Sequence, residues 1–218
     1  MILIKPSFEI MWNSVDAISI LRSIELYGRT CYKSEDRITT DSAAKFVGML
    51  IKRGHESVLE HEKLTVKFIV DRGVSHEIVR HRLASFSQES TRYCDYNKGH
   101  ITFIIPDWYD IEPGIYDRVI GCDPIHCQVW MRSMLDSEKS YMALRTEGLR
   151  PEQARSVLPN SLKTEIVVTC NFREWRTIFR QRTAMAAHPQ MREVMRPLLN
   201  ELKAVIPEMF YDISYAQD

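Results

Sequence analysis

Apolar residues fall at helical spacing in SVDAISILRSIELY, residues 14–27, through Val15, Ile18, Leu21 and Ile24, and Gly28 follows as a stop. Residues 41–53 repeat the pattern through Ala44, Val47, Leu50 and Ile51, with Thr40 or Asp41 as a cap and Gly54 as a left-handed end. In KLTVKFIVDR the period changes to two: Leu64, Val66, Phe68 and Val70 share one face of a predicted strand. MILIKPSFEIMW at the start, HITFIIP at 100–106 and LKTEIVVTC at 162–170 also read as extended. Short helices are predicted over 75–83 and 151–159, and a long one from Asp123-Pro124 to about Thr146, ended by Gly148. Residues 107–121, with Pro113, Gly114 and Gly121, read as a loop. Asn171 is placed to cap a helix over 172–186, and a last helix runs from Pro189 to about Phe210 with a bend at Pro197. Strands and helices are interspersed without a fixed repeat, so the expected class is α+β: a single domain over 1–218 with a central sheet flanked by helices.

Composition narrows the functional classes. The 218 residues are 44% apolar and 27% charged, and Lys+Arg and Asp+Glu both number 29. A general nucleic-acid binder shows a basic excess, so balanced charge counts against one. No apolar run approaches membrane-spanning length. The five cysteines form no Cys-x-x-Cys pair, which predicts reduced thiols, a cytoplasmic setting and no cysteine-built metal site.

Local charge is far from even. RHRLASFSQESTRYC, residues 80–94, holds three arginines, a histidine and several hydroxyls. Arg80, His81 and Arg82 fan out if helical, while Ser85, Ser90 and Arg92 follow in a segment without helical period. Guanidinium groups, hydroxyls and free N–H groups suit phosphate oxygens, although a lone RHR triplet is more often a solvated basic face. GHESVLEH, 54–61, places His55 and His61 six apart, whereas a zinc-protease helix needs four. A metal-dependent hydrolase built on His55, Glu56 and His61 is therefore disfavoured, and no metal is expected. NFREWRTIFRQR, 171–182, sets Phe172, Trp175 and Phe179 on one stripe and Arg173 and Arg180 on another face. LRPEQARSVLP adds Arg150 and Arg155.

RHRLASFSQESTR, with RHR, seven residues and then serine, resembles the signature of the flavin-dependent thymidylate synthases. RGHESVLEH, EQARSVLP, CNFREWR and AAHPQMRE resemble further family segments in family order, so the similarity covers about residues 15–200. The resemblance implies reductive methylation of dUMP to dTMP. 5,10-Methylenetetrahydrofolate is the implied one-carbon donor, and FAD reduced by NADPH the implied hydride source. It implies a homotetramer with active sites where subunits meet, and no cysteine nucleophile. By the same resemblance Ser57, Glu60, Arg80, His81, Arg82, Gln88, Asn171, Arg173 and His188 are cofactor-side residues. Glu77, Arg80, Gln88, Glu89, Ser90, Thr91, Arg92, Arg155 and Arg182 are expected at dUMP, and His55 on the folate side. Arg182 matches the arginine that grips the uracil ring and favours ionisation at N3, the catalytic role.

Two phosphorylated guests carrying roughly four negative charges would account for the arginine density. The sequence also departs from the family pattern. Glu77 stands where glutamine is expected, Thr91 replaces a glycine found in some members, and Gln88, Glu89 and Thr177 differ. Those departures keep a catalytically impaired paralogue open beside the enzyme, with an arginine-rich nucleic-acid-binding module as the non-enzymatic alternative.

Overall fold

A computed structural model describes residues 1–11 and 16–216. Ser14 and Val15, where the first helix is expected to begin, and Trp12, at the end of the first extended segment, lie outside the described residues. The class is α+β, as expected, with two sheets. A three-stranded sheet has the order β5-β1-β6, and a four-stranded sheet the order β2-β3-β7-β4. The strands are β1 Ile2–Ile4, β2 Ser7–Ile10, β3 Lys63–Asp71, β4 Ala84–Gln88, β5 Thr102–Ile104, β6 Gly114–Ile115 and β7 Lys163–Asn171. In β3 and β7 every second residue is buried, Leu64, Val66, Phe68 and Val70 in one and Thr164, Ile166, Val168 and Cys170 in the other.

The chain divides into two compact units. The first takes residues 1–7, 68–80 and 87–166. β1 pairs in parallel with β5, Leu3 opposite Phe103, and antiparallel with β6, Leu3 opposite Gly114. β6 is a short strand inside the segment expected to be loop. It has two residues, too few for alternation to register. Helix α4, Ile125–Thr146, buries Cys127, Met131, Leu135 and Tyr141 at helical spacing, in one apolar cluster with Leu3, Phe103 and Ile105. α4 ends two residues before Gly148, whose φ is +86°. Cys122 and Cys127 form a disulfide with Cα atoms 6.0 Å apart, which corrects the expectation of five thiols. The turn into α4 brings the pair within bridging distance, a proximity that no spacing motif announces. Cys31, Cys94 and Cys170 are free.

Two further helices of this unit are shorter than expected. α3 covers Arg72–Ile78, capped by Asp71 accepting from Val74 N at 2.7 Å, so Arg80 lies past its end and not in a helix to residue 83. α5 covers Pro151–Ala154 and passes into a 3₁₀ turn, Arg155–Val157.

The second unit takes residues 8–67, 81–86 and 167–218. α1 spans Ala17–Tyr32, five residues beyond the expected end. Gly28 is not its stop. A Cβ there would stand 2.6 Å from Phe46 Cε1, so the glycine lets α1 lie close against α2, Ser42–Lys52. The helix ends instead at Lys33, in the left-handed region with φ 47°. α6, Phe172–Arg182, begins where Asn171 Oδ1 accepts from Glu174 N at 2.9 Å, and it ends four residues before the expected boundary. Pro197 sits within α7, Pro189–Val205. The break falls at Ile206, before Pro207 opens α8, Pro207–Phe210, because the residue preceding proline is driven out of helical geometry. Phe172, Trp175, Phe179 and Phe210 are fully buried, with Trp175 stacked on Phe179 at 5.6 Å and Phe210 edge-on to it at 5.5 Å.

Gly28→Ala is expected to destabilise by about 1–2 kcal/mol, overpacking against Phe46 outweighing the better helix propensity of alanine. Urea melts of wild type, each single variant and Gly28→Ala/Phe46→Leu check this. The cost should shrink in the double variant, and a stabilised Gly28→Ala would contradict the close approach.

Candidate functional site

Past the end of β4, within the first unit, the chain makes a tight turn. Ser90 O accepts from Tyr93 N at 3.1 Å and from Cys94 N at 2.9 Å, and Ser90 Oγ accepts from Arg92 N at 3.3 Å. Thr91 is buried and its hydroxyl accepts from Arg155 at 3.1 Å. Four of the residues expected at the nucleotide, Ser90, Thr91, Arg92 and Arg155, are thus brought together, and both arginines are exposed. Arg92 lies over the Tyr93 ring at 5.3 Å. Exposed guanidinium groups beside hydroxyls and a hydrogen-bonded turn can receive a phosphate monoester.

Gln88 and Glu89 are engaged within the protein. Gln88 Nε2 donates to Ser75 Oγ at 2.8 Å and Thr164 Oγ1 at 3.2 Å, which commits its amide nitrogen and leaves its carbonyl oxygen. Glu89 accepts from Lys163 at 2.9 Å and from Tyr96 at 2.8 Å. Burial, then the Glu89 carboxylate, push the Tyr96 phenol above its usual range, so it stays a neutral donor. Glu77 lies in the last turn of α3, and Arg80 N donates to its carbonyl at 3.2 Å.

The RHR triplet is divided. Arg80 belongs to the first unit, His81 and Arg82 to the second. In the second unit Arg182 Nε donates to His81 Nε2 at 3.0 Å, while His81 Nδ1 faces Glu174 Oε1 at 3.4 Å. His81 is 6% exposed, and burial followed by the Arg182 charge lowers its pKa from 6.5 to about 4. A neutral ring accepting at Nε2 must carry its proton at Nδ1, towards Glu174, whose own pKa is raised by burial. Two α6 residues thus clamp one imidazole, and the clamp fixes the direction of the Arg182 side chain.

A cavity of about 420 Å³ in this unit is lined by Cys31, Tyr32, His55, Glu56, Ser57 and Arg173, with Leu50 and Val58 as apolar wall. His55 Nδ1 is 2.9 Å from the Tyr32 hydroxyl, and Arg173 pairs with Glu60. The expected residues Ser57, Arg173 and His55 therefore line one space, and Glu60 joins it through Arg173 without lining it. Asn171 spends its side-chain oxygen on the α6 cap, leaving its amide nitrogen. Arg82, exposed before β4, and His188, at the start of α7, do not line this cavity. Apolar walls, an aromatic side, a hydroxyl and a guanidinium fit a flat, partly polar ring system such as a flavin, and the volume is of the size that takes one.

Four residues escaped the sequence reading. Arg176 is fully buried, paired with Asp212 at 2.6 Å and with Glu56 at 2.9 Å. Burial works against the Glu56 carboxylate, but Arg180 and Arg176 outweigh it and hold its pKa below the ordinary value. Arg176 does have a signal, since it falls four after Phe172 and three before Phe179, inside the apolar stripe. Tyr32 and Cys31 have none, since only the overrun of α1 places them at the cavity, and Glu174 reads as an ordinary first-turn acid. The trio His55, Glu56 and His61 is dispersed: Glu56 goes to the arginines and His61 packs on Tyr27, ring centroids 5.2 Å apart. Among the described residues no group of three or more His, Cys, Asp or Glu could hold a metal ion.

An α+β chain with exposed guanidinium groups beside a hydroxyl-bearing turn and at a cavity wall is the class that fold and site define. The model of the thymidylate synthase complementing protein family matches residues 15–208, and the chain belongs to that family. It is 32% identical over 197 residues to a flavin-dependent thymidylate synthase of Geobacter sulfurreducens, covering 87% of this chain and 80% of the relative. It is 30% identical over 191 residues to the protein of that name from Pyrococcus furiosus, covering 86% and 74%. Among solved structures, a UMP/dUMP methylase from Streptomyces cacaoi bound with 5-Br dUMP superposes with a TM-score of 0.75 at 24% identity, covering 97% of this chain and 96% of that one.

The buried imidazole gives stability a definite pH dependence. The unfolded chain binds the His81 proton near pH 6.5 and the folded chain only near 4, so the contribution is whole above 6.5 and is lost as pH falls to 4. It amounts to at most about 3 kcal/mol. Denaturation midpoints of wild type should fall more steeply through this window than those of His81→Gln; parallel curves would refute a neutral buried ring.

Proposed function

We propose that this protein is a flavin-dependent thymidylate synthase. It methylates dUMP reductively to dTMP, with 5,10-methylenetetrahydrofolate as one-carbon donor and FAD reduced by NADPH. The observation that carries the reading is the fixed Arg182 guanidinium, clamped by His81 at the end of α6 in a chain of this family. The bound flavin supplies hydride. The rest of the work falls to this chain's side chains.

Ser90, Thr91, Arg92 and Arg155 bind the nucleotide phosphate, with Arg80 beside them. Glu77, Gln88 through its free oxygen, and Glu89 shape the surroundings of the sugar and base. Arg182 takes negative charge developing on the uracil ring, and its pre-set direction spares reorganisation at the moment of reaction. Ser57 and Arg173 hold the flavin, with His81, Arg82, Asn171 and His188 as further contacts, and Glu60 orients Arg173. His55, steadied by Tyr32, faces the folate.

No cysteine nucleophile enters this scheme. Cys122 and Cys127 are bridged, and burial pushes the Cys170 thiol well above its usual range. Cys31, at the cavity wall, turns its thiol to the Tyr27 carbonyl.

The chain works as one domain over 1–218, in a homotetramer whose active sites form where subunits meet. Exposure of Leu83 (75%) and Tyr93 (78%), beside residues assigned to the ligands, supports an interface there. No described helix is long and apolar enough to cross a membrane. A cytoplasmic location is inferred from the deoxynucleotide and folate substrates, because the bridged cysteines no longer speak for it.

Arg182→Ala should lower thymidylate formation by roughly 10²–10³-fold while the purified protein keeps its flavin. Turnover assays with absorbance spectra of both proteins check this. Loss of flavin in the variant, or near-normal turnover, would contradict the assigned role.

A further inference from the structure

A larger cavity, about 770 Å³, lies in the second unit between α1, the 3₁₀ turn Glu35–Arg37 and α2. Its lining includes Arg29, Lys33, Arg37, Lys45 and Arg53 against a single acid, Asp36. Arg29 is satisfied, paired with Glu25 at 2.8 Å and lying over the Phe46 ring at 4.3 Å. The other four cations are exposed, and their side chains make no hydrogen bond or ion pair among the described residues. Four like charges left unpaired around one hollow repel each other, and an anion relieves that repulsion. Tyr32 lines this cavity and also the one that holds His55 and Ser57, so the two hollows share a wall.

We propose that this basic cavity is the subsite for the carboxylate-rich γ-glutamyl tail of the folate co-substrate, an inference that rests on the folate-dependent reading above. The spread of the cations selects a tail over a phosphate. A phosphate needs donors converging on one group, whereas here lysines and arginines are distributed from the end of α1 to the end of α2. Such a row suits a flexible chain with several separate carboxylates, each met by one cation. Tyr32, at the shared wall and bonded to His55, is where the tail would pass from the folate that His55 faces into the basic cavity.

Steady-state kinetics of the holoenzyme with methylenetetrahydrofolate bearing one or five γ-linked glutamates test this. Wild type should show a KM about tenfold lower for the pentaglutamate at low salt, with kcat alike. In Arg37→Gln/Lys45→Gln, two exposed positions, the advantage should shrink to about twofold, with the monoglutamate KM unchanged. Equal KM values for the two folates in an active wild type overturn the tail subsite and leave the functional reading intact. A double variant that raises KM for NADPH but not NADH, and keeps the pentaglutamate advantage, assigns the cavity to a phosphate and also overturns it. Absence of turnover with either folate counts against the functional reading instead. Calorimetry with free penta-γ-glutamate then decides: binding lost in the double variant supports the subsite, and no binding by wild type overturns it.

Discussion

Burial of one stripe of α6 sets the position of every charged group that this helix carries. Phe172, Trp175 and Phe179 are removed from water together, and their aromatic area is a large share of what stabilises this part of the chain. Once that stripe faces inward, the helix has no rotational freedom left. Arg173 must then emerge beside Glu60, Arg180 beside Glu56, and Arg182 against His81. Arg176 falls inside the stripe and is tolerated because Asp212 and Glu56 meet its guanidinium in the interior. A buried ion pair of this kind is weak evidence of net stability. Its consequence here is positional, since Glu56 begins the 3₁₀ turn that carries Ser57 to the cavity.

The charge distribution divides into cations held by carboxylates and cations left to solvent. Arg173, Arg176 and Arg180 are of the first kind. Arg37, Lys45 and Arg53 are of the second. A neutral total charge is compatible with both, because the acids are concentrated where guanidinium groups need orienting and scarce where a cavity needs to attract. His81 belongs with the orienting acids although it bears no charge. As a buried neutral acceptor it directs Arg182 without neutralising it, which a carboxylate in the same place would do.

Much of this was legible in the sequence, and the failures have physical causes. Strands β3 and β7 and the cap at Asn171 were readable because alternation and capping are local. The family signature at RHRLASFSQESTR led to the arginines because that motif is specific. The end of α1 is hidden from the sequence because Gly28 looks like a stop when only its neighbours are considered, while its reason for being glycine is Phe46, eighteen positions away. α3 stops short of the expected residue 83 although apolar and charged residues keep helical spacing past Ile78. The Cys122–Cys127 bridge depends on the local turn into α4, which no spacing motif announces, and the Arg176 network depends on Glu56 and Asp212 arriving from distant segments.

The central claim is that these guanidinium groups are arranged for a flavin and a nucleotide. The visible absorbance spectrum of the purified protein, recorded before and after addition of dUMP, tests it most directly. The account expects flavin bands at about one per chain, taken up on reconstitution if lost, and displaced in wavelength or intensity when dUMP binds. A colourless protein that takes up no FAD, or flavin bands indifferent to saturating dUMP, would contradict it.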